Sequence, residues 1–284
     1  MAMSIPYRQL GAAHMLFEQQ AERTPLATAL IKDCLSVSYG ALDEGADRVA
    51  SRLNGLNVGR GDIVGLVLDR SVETIKLLLG ILKAGAVYFP LDTSLPPARL
   101  RAYVKDCTPT LIVAAADDAK ELVGREVVSL ADLMACAQHE PWDGDGVCGE
   151  DAAYLIYTSG SSGSPKGVIN EHAGLALLAR ATGRQMEIGA GDRVLQFANL
   201  AFDLSLWEIF LALGNGAALV LGDADKLHPG PSLQTLLQEK SVTVALLSPS
   251  VLRVLPAEGL PSLRLIVAGS ERCTHDVVRR WKPG

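Results

Sequence analysis

Cysteine is scarce in this sequence, and its cysteines are not arranged for a disulfide framework or a metal site. There are five among 284 residues, an odd number, and no two of them form a Cys-x-x-Cys pair. Scattered cysteines of this kind are typical of reduced thiols, so we expect a cytoplasmic protein. The five are Cys34, Cys107, Cys136, Cys148 and Cys273.

Long runs of basic residues and long uninterrupted apolar segments are also missing. The sequence has no basic run and a net charge of −6 with a pI of about 5.4, which argues against nucleic acid as a main partner. Lys76 and Lys83 interrupt the longest apolar stretch, so we expect no segment that spans a membrane. The N-terminus lacks a basic region followed by an apolar one, so we expect no signal peptide.

The sequence does contain enough apolar residues for a large core. Hydrophobic residues make up 49% of it, which suits one large domain or two ordinary ones. Short apolar strands alternate with helical patterns. An example is the strand predicted from Ile63 to Leu68, which precedes a helix from about Val72 to Ala84. This alternation predicts doubly wound α/β sheets. A break rich in glycine and acidic residues, 139–151, predicts the connection between two α/β subdomains.

Residues 157–167 form the most informative stretch, with apolar strands predicted on both sides of it. Its glycines allow backbone N–H groups to turn toward a ligand at close approach. The hydroxyls of Thr158, Ser159, Ser161 and Ser162 add hydrogen-bond donors, and Lys166 adds a mobile positive charge. Together they predict a phosphate loop that lies between the two α/β layers.

The spacing within this loop decides its type. A Walker loop needs Gly-Lys-Ser/Thr in succession and a helix that begins there. Here Pro165 precedes Lys166, Gly167 follows it, and a strand comes next, so the Walker interpretation fails. A flexible Gly/Ser linker is the other alternative. A linker does not explain a lysine between proline and glycine, or hydrophobic strands on both sides.

At these residues the chain resembles the adenylate-forming, or AMP-binding, superfamily. That superfamily includes acyl-CoA synthetases, luciferases and the adenylation domains of nonribosomal peptide synthetases. Two more stretches, 38–42 and 82–92, are similar to other family motifs, although packing alone would explain both. Their form favours amino-acid-activating domains. The resemblance covers nearly the whole chain and implies the N-terminal core of an adenylation domain. The string that carries it is Tyr157-Thr-Ser-Gly-Ser-Ser-Gly-Ser-Pro-Lys-Gly167.

The resemblance implies a reaction. An amino acid carboxylate would attack the α-phosphorus of ATP to give an aminoacyl adenylate and pyrophosphate, with Mg²⁺ neutralising the leaving group. The adenylate would then be loaded onto the phosphopantetheine of a carrier protein. Lys166 and Thr158 are the implied catalytic residues. The implied nucleotide-binding residues, of which Phe202 would border the adenylate, are Thr158, Ser159, Gly160, Ser161, Ser162, Gly163, Lys166 and Phe202.

The stretch 202–208 is the second informative one. Ser205 followed by Glu208 predicts a capping box, with a helix that begins at Leu206. This leaves Asp203 unexplained, and a carboxylate among apolar residues is costly unless a cation meets it. The resemblance implies that Asp203 meets the ammonium group of an amino acid. The alternative is a solvated loop acid.

Further substrate-binding positions rest on the resemblance. They are apolar, so the implied substrate is an apolar amino acid, with proline or a similar cyclic imino acid favoured. Ile266 and Ala268 are two residues apart on a predicted strand and therefore share one face. For each position an ordinary place in the core is the alternative. The positions are Leu204, Trp207, Leu246, Ile266 and Ala268.

The family's Asn-x-Tyr-Gly-Pro-Thr-Glu motif, its ribose-binding aspartate and its C-terminal catalytic lysine find no counterpart in this sequence. No metal ligand is therefore assignable. We expect that portion in the same polypeptide or on a second one, and we expect the 284 residues alone to be inactive. Two other functions stay open. One is an acyl- or aryl-acid CoA ligase, against which Asp203 argues. The other is a non-catalytic fragment that binds nucleotide or a partner.

Overall fold

The computed structural model describes residues 11–67, 69–115, 119, 123–124, 127–134, 146–158 and 165–282. Within them the chain forms two six-stranded sheets combined with helices. This is the α/β architecture that the alternation predicted. Residues 159–164 of the predicted phosphate loop lie outside the described part, as do residues 139–145 of the predicted connection, so the subdomain boundary stays a prediction.

The first sheet is built from strands of both halves of the sequence. Its order is β12-β11-β9-β10-β1-β2, and only the β1–β2 pair is antiparallel. Two of the inner strands, β10 and β11, are continuous apolar runs, as expected for strands covered on both faces. The strands are β1 (Thr28–Lys32), β2 (Leu35–Ser38), β9 (Arg193–Gln196), β10 (Ala218–Leu221), β11 (Val244–Leu247) and β12 (Leu265–Ala268).

The second sheet carries the predicted phosphate loop. Its order is β6-β5-β3-β4-β7-β8, in which only β7 and β8 are antiparallel. The loop therefore connects the two strands of a hairpin at one edge of this sheet. The strands are β3 (Ile63–Val67), β4 (Val87–Pro90), β5 (Leu111–Ala114), β6 (Val128–Ser129), β7 (Ala152–Thr158) and β8 (Lys166–Glu171).

The helices lie between the sheets and on their outer faces. A central apolar cluster combines helices α2, α3 and α7 with strands of both sheets, while two smaller clusters pack on one sheet each. Within the described residues no helix is long and apolar enough to cross a membrane. The helices are α1 (His14–Arg23), α2 (Tyr39–Gly55), α3 (Val72–Lys83), α4 (Pro97–Cys107), α5 (Leu130–Met134), α6 (His172–Gln185), α7 (Asp203–Leu213), α8 (Pro231–Glu239), α9 (Pro249–Val254) and α10 (His275–Trp281).

Helices α1, α2 and α3 are joined by a buried lysine. Lys83 lies 3.0 Å from Glu18, 2.6 Å from Asp43 and 2.5 Å from Asp47, and it is only 2% exposed. Burial by itself would lower the pKa of Lys83, but the carboxylates outweigh burial and the pKa is raised. The ammonium group is therefore charged and compensated inside the core.

Among the elements of the described residues, three short ones were not predicted from the sequence: β6, α5 and α9. The first two contain only a few residues, too few for a periodic pattern to develop. Helix α9 has a local signal at its start. The Ser248 hydroxyl accepts a hydrogen bond from the N–H of Val251, and Pro249 occupies the first helical position.

Candidate functional site

A cavity of about 460 Å³ lies where the second sheet meets the start of α7. Pro90 and Thr158, the last residues of the parallel strands β4 and β7, line one side of it, and Phe202 and Asp203 line another. The carboxyl ends of parallel strands are the usual place for a ligand in α/β proteins. Three of the predicted site residues thus border one cavity: Thr158 and, far from it in sequence, the adjacent pair Phe202 and Asp203.

The β7–β8 hairpin fixes both ends of the predicted phosphate loop. Thr158 is paired with Lys166 across the hairpin, so the two strand residues on either side of the loop lie next to each other. Both side chains are exposed. Ser159, Gly160, Ser161, Ser162 and Gly163 lie outside the described residues, and their proposed contacts with phosphate stay predictions.

Tyr157 anchors the strand that leads into this loop, a role that the sequence did not reveal. Its ring stacks on that of Tyr103 with centroids 4.1 Å apart, and its hydroxyl donates a hydrogen bond of 2.6 Å to Asp106. Burial and this hydrogen bond both raise the pKa of Tyr157. Tyr103 is held by Arg99, whose Nε donates to the Tyr103 hydroxyl at 2.7 Å. The one feature of the sequence that hints at this role is the spacing of Tyr103 and Asp106, which places both partners of Tyr157 on one face of α4.

The predicted capping box is wrong, because α7 begins at Asp203 and not at Leu206. Ser205 lies inside the first turn, where its N–H donates to the carbonyl of Phe202 at 3.0 Å and its hydroxyl donates to the same carbonyl at 2.7 Å. Phe202 is the N-cap residue and supplies no side-chain cap. Glu208 does not reach back to a cap and is fully buried.

Asp203 lies in the first turn of α7, where the helix dipole favours a negative charge. Its side chain is exposed at the cavity, so burial alone does not demand a cation partner. The pKa of Tyr154 on β7 is raised, mainly by burial and also by the charge of Asp203. The Asp203 carboxylate and Tyr154, which lies on the strand that ends at Thr158, therefore interact electrostatically.

Glu208 is the buried carboxylate closest to this region in sequence. It accepts hydrogen bonds from the N–H groups of Phe197 and Ala198 and from the side-chain amide of Gln196. Burial raises the pKa of Glu208 to about 8, although these donors and the charge of Arg70 pull it in the opposite direction. Sequence reasoning missed this arrangement because the Ser205–Glu208 spacing also matches a capping box.

The other predicted substrate positions fall into two groups. Leu246 is buried in the central cluster, and Leu204 and Trp207 pack against that cluster. Ile266 and Ala268 line a different cavity of about 520 Å³, with Leu252, Val277 and Trp281 among its walls. Leu246 pairs with Val267 in the parallel β11–β12 ladder, so Val267 shares its face of the sheet and Ile266 does not.

No group of three His, Cys, Asp or Glu side chains in the described part of the chain could hold a metal ion. We therefore assign no protein ligand to magnesium.

Comparison with protein families matches residues 17–283 to AMP-binding enzymes. The chain is 39% identical over 284 residues to a linear gramicidin synthase of Brevibacillus parabrevis, covering 99% of this chain and 4% of that protein. It is 38% identical over 278 residues to bacitracin synthase 3 of Bacillus licheniformis, covering 94% of this chain and 4% of that protein. The chain thus spans a small fraction of these relatives.

Two solved structures show the same fold. The Klebsiella oxytoca NpsA N-terminal subdomain, in complex with 3-hydroxyanthranilyl-AMSN, has a TM-score of 0.83 and 25% identity, and the match covers 98% of this chain and 72% of that one. The nonribosomal peptide synthetase FmoA3 in its AMPPNP-bound form has a TM-score of 0.83 and 28% identity, covering 96% and 30%. The chain therefore belongs to the AMP-binding enzymes, where it corresponds to the N-terminal portion of a nonribosomal peptide synthetase adenylation domain.

Proposed function

We propose that the protein containing this chain activates an amino acid with ATP and passes the aminoacyl adenylate to the phosphopantetheine of a carrier protein. The observation that carries the proposal is the 460 Å³ cavity, which Thr158 borders from the phosphate-loop strand and Asp203 from the start of α7. The group proposed to bind phosphate and the group proposed to bind ammonium thereby border one cavity.

The reaction requires no nucleophile from the protein. A carboxylate oxygen of the amino acid forms a bond to the α-phosphorus of ATP, and the bond from that phosphorus to the bridging oxygen breaks. Pyrophosphate leaves with the electron pair, and no proton is transferred. The protein contributes position and charge. Thr158, Lys166 and the loop between them would hold the phosphates of ATP complexed with Mg²⁺, and Phe202 would border the adenylate.

The substrate is proposed to be an apolar amino acid, with proline or a similar cyclic imino acid favoured. Asp203 would bind the ammonium group, and Leu204, Trp207 and Leu246 would surround the side chain. The same role is proposed for Ile266 and Ala268, which line the other cavity in this structure.

An aryl-acid ligase is the second candidate. The NpsA subdomain carries 3-hydroxyanthranilyl-AMSN in one structure and 3-hydroxybenzoyl-AMSN in another. Asp203 argues against this candidate, since 3-hydroxybenzoate has no ammonium group to meet a carboxylate.

ATP–pyrophosphate exchange by the full protein tests the proposal with three groups of acids: apolar amino acids including proline, charged amino acids, and 3-hydroxybenzoate. We expect exchange driven best by an apolar amino acid. Exchange driven best by aspartate, glutamate, lysine or arginine would refute the apolar pocket, and exchange driven by 3-hydroxybenzoate would favour the aryl-acid candidate.

A further inference from the structure

Two residues that follow β9, Phe197 and Ala198, have all four of their backbone polar groups bonded to side chains. Both N–H groups donate to Glu208, at 3.1 Å and 3.0 Å. Both carbonyl oxygens accept from Arg70, at 2.9 Å and 2.8 Å. Beyond the end of a strand, backbone N–H and carbonyl groups are usually hydrogen-bonded to water or within a turn. A pair of residues whose backbone groups are all hydrogen-bonded to side chains is therefore held in a specific position.

The side chains that hold this pair are also bonded to one another. Gln196 accepts a 2.7 Å hydrogen bond from Arg70 and donates to Glu208 at 3.0 Å and to the carbonyl of Ala198 at 2.6 Å. Gln196 and Glu208 are fully buried. A fully buried acidic side chain with three hydrogen-bond donors is seldom the most stabilising choice for a core. Such a network does, however, specify the positions of the groups that it joins.

Arg70 reaches this pair from the other sheet. It follows β3 in the second sheet, whereas Gln196 ends β9 in the first. The planar guanidinium binds three acceptors at once, which a lysine ammonium cannot do with the same geometry. Asn199 adds a second connection, because its amide donates to Asp92 beyond β4 at 3.0 Å.

The held segment continues directly to the cavity. The N–H of Phe202 donates to the carbonyl of Asn199 at 2.9 Å, and the Ser205 hydroxyl donates to the carbonyls of Leu200 and Phe202. From Phe197 to Phe202 the backbone is thus fixed at several points. Phe202 and Asp203 begin where this segment ends.

We infer that Arg70, Gln196 and Glu208 are positioning residues, forming a clamp that fixes Phe202 and Asp203, at the start of α7, relative to Thr158 on the second sheet. The clamp touches neither ATP nor the amino acid. It acts through the segment 197–202. The inference rests on the proposed function, since it assigns a purpose to the distance between the groups that would bind ammonium and phosphate.

The test uses the full protein with two conservative variants, Arg70→Lys and Glu208→Gln. The first keeps the charge and removes the planar fork. The second keeps the shape but replaces one acceptor oxygen by a donor. The matched control is Arg264→Lys. Arg264 likewise joins one side chain, Asp192, to the carbonyls of Met186 and Glu187, but it does so before β12, at the opposite end of the strands.

For each variant we would measure the Tm, together with kcat and the KM values for amino acid and ATP in pyrophosphate exchange. Arg70→Lys and Glu208→Gln are expected to lower kcat/KM for the amino acid by roughly 10- to 100-fold, as misplacement of reacting groups does. Arg264→Lys should lower the Tm by a comparable amount and leave kcat/KM within about threefold. A variant that combines Arg70→Lys with Glu208→Gln should lose little more kcat/KM than the worse of the two single variants, because both residues belong to one hydrogen-bonded unit.

Normal kinetics in both clamp variants would overturn the clamp and leave the proposed function intact. Equal kinetic losses in Arg264→Lys would do the same, since the effect would then be general destabilisation. If Arg70→Lys fails to fold, Glu208→Gln decides alone. If the unmodified protein shows no exchange with any amino acid, the proposed function fails and the inference fails with it.

Discussion

At the scale of single residues, the polar groups proposed to meet the phosphates of ATP and the ammonium group are exposed, whereas two of the side chains proposed to position them are buried. Thr158, Lys166 and Asp203 have exposed side chains, while Gln196 and Glu208 are fully buried. This division suits a site that must be open to ligands and fixed in position. It also means that exposed contacts can be substituted with little effect on folding.

Substitutions at the two ends of the loop should affect the use of ATP far more than the use of the amino acid. Lys166→Ala and Thr158→Ala are expected to raise the KM for ATP by roughly tenfold or more, because each charge-assisted hydrogen bond is worth about 1.5–3 kcal/mol. The KM for the amino acid should change far less. Pyrophosphate exchange measures both values, with Lys105→Ala, at an exposed position, as control. Normal ATP KM and turnover in both variants would remove these residues from the site.

Asp203→Ala should abolish selection for the amino group. The ammonium group would lose its charged acceptor, so kcat/KM for the amino acid should fall roughly 10- to 100-fold. Asp276→Ala provides a matched control, because Asp276 also lies in the first turn of a helix, α10. If Asp203→Ala activates amino acids as well as the unmodified protein, the solvated-acid alternative is correct.

At the scale of elements, α1, α2 and α3 depend on one ion cluster. Lys83→Met would leave Glu18, Asp43 and Asp47 facing one another without a cation. Removal of one partner from a buried ion pair costs about 3–5 kcal/mol, and we expect the lower end because the carboxylates are partly exposed. Urea unfolding measures the loss. Lys76→Met, which removes a weaker contact of 3.7 Å with Glu73, should change the free energy of unfolding by less than about 1 kcal/mol.

The buried ionisable groups of α7, α1 and α6 predict opposite dependences on pH. The pKa of Glu208 is raised from 4.5 to about 8, so the folded state keeps a proton that the unfolded state releases, and stability falls as pH rises through this window. Burial lowers the pKa of His14 to about 3 and of His172 to about 4, so their contribution is complete above pH 6.5 and is lost as pH falls.

The Glu208 part of this dependence can be isolated. In Glu208→Gln, the free energy of unfolding measured in urea should fall less steeply between pH 6.5 and pH 8 than in the unmodified protein, by up to ~1.4 kcal/mol per pH unit. Below pH 4.5, where of these three groups only the histidines still contribute, the slope should be unchanged. Identical slopes in the two proteins would show that Glu208 is already ionised throughout this range.

At the scale of the whole molecule, the two sheets share one central core, and the cavity lies where the second sheet meets the start of α7. The match to the NpsA subdomain covers 72% of that chain, and the described residues contain no group of three side chains that could hold a metal ion. The match thus leaves part of the NpsA subdomain without a counterpart in residues 1–284.

Purified residues 1–284 should accordingly show no pyrophosphate exchange above background with any amino acid. Addition of the remaining adenylation-domain sequence, in the same chain or as a second one, should restore exchange. Robust exchange by residues 1–284 alone, dependent on an amino acid, would contradict this prediction.

The sequence by itself determined the fold class and the family, and it predicted a strand on each side of the proposed phosphate loop. Strands such as β3 and β10 are continuous apolar runs, and the Tyr157–Gly167 string carries its chemistry in adjacent residues. Those signals are local, so one window of sequence contains them whole.

Only the tertiary structure decided the start of α7, the role of Glu208 and the separation of Ile266 and Ala268 from Leu246. Ser205 and Glu208 have the spacing of a capping box. In the folded protein, however, the Glu208 side chain accepts hydrogen bonds from the N–H groups of Phe197 and Ala198 and not from the start of its own helix. Arg70 meets Gln196 across 126 positions of sequence. No periodicity or motif predicts such a contact, because it exists only once two separate sheets have packed together.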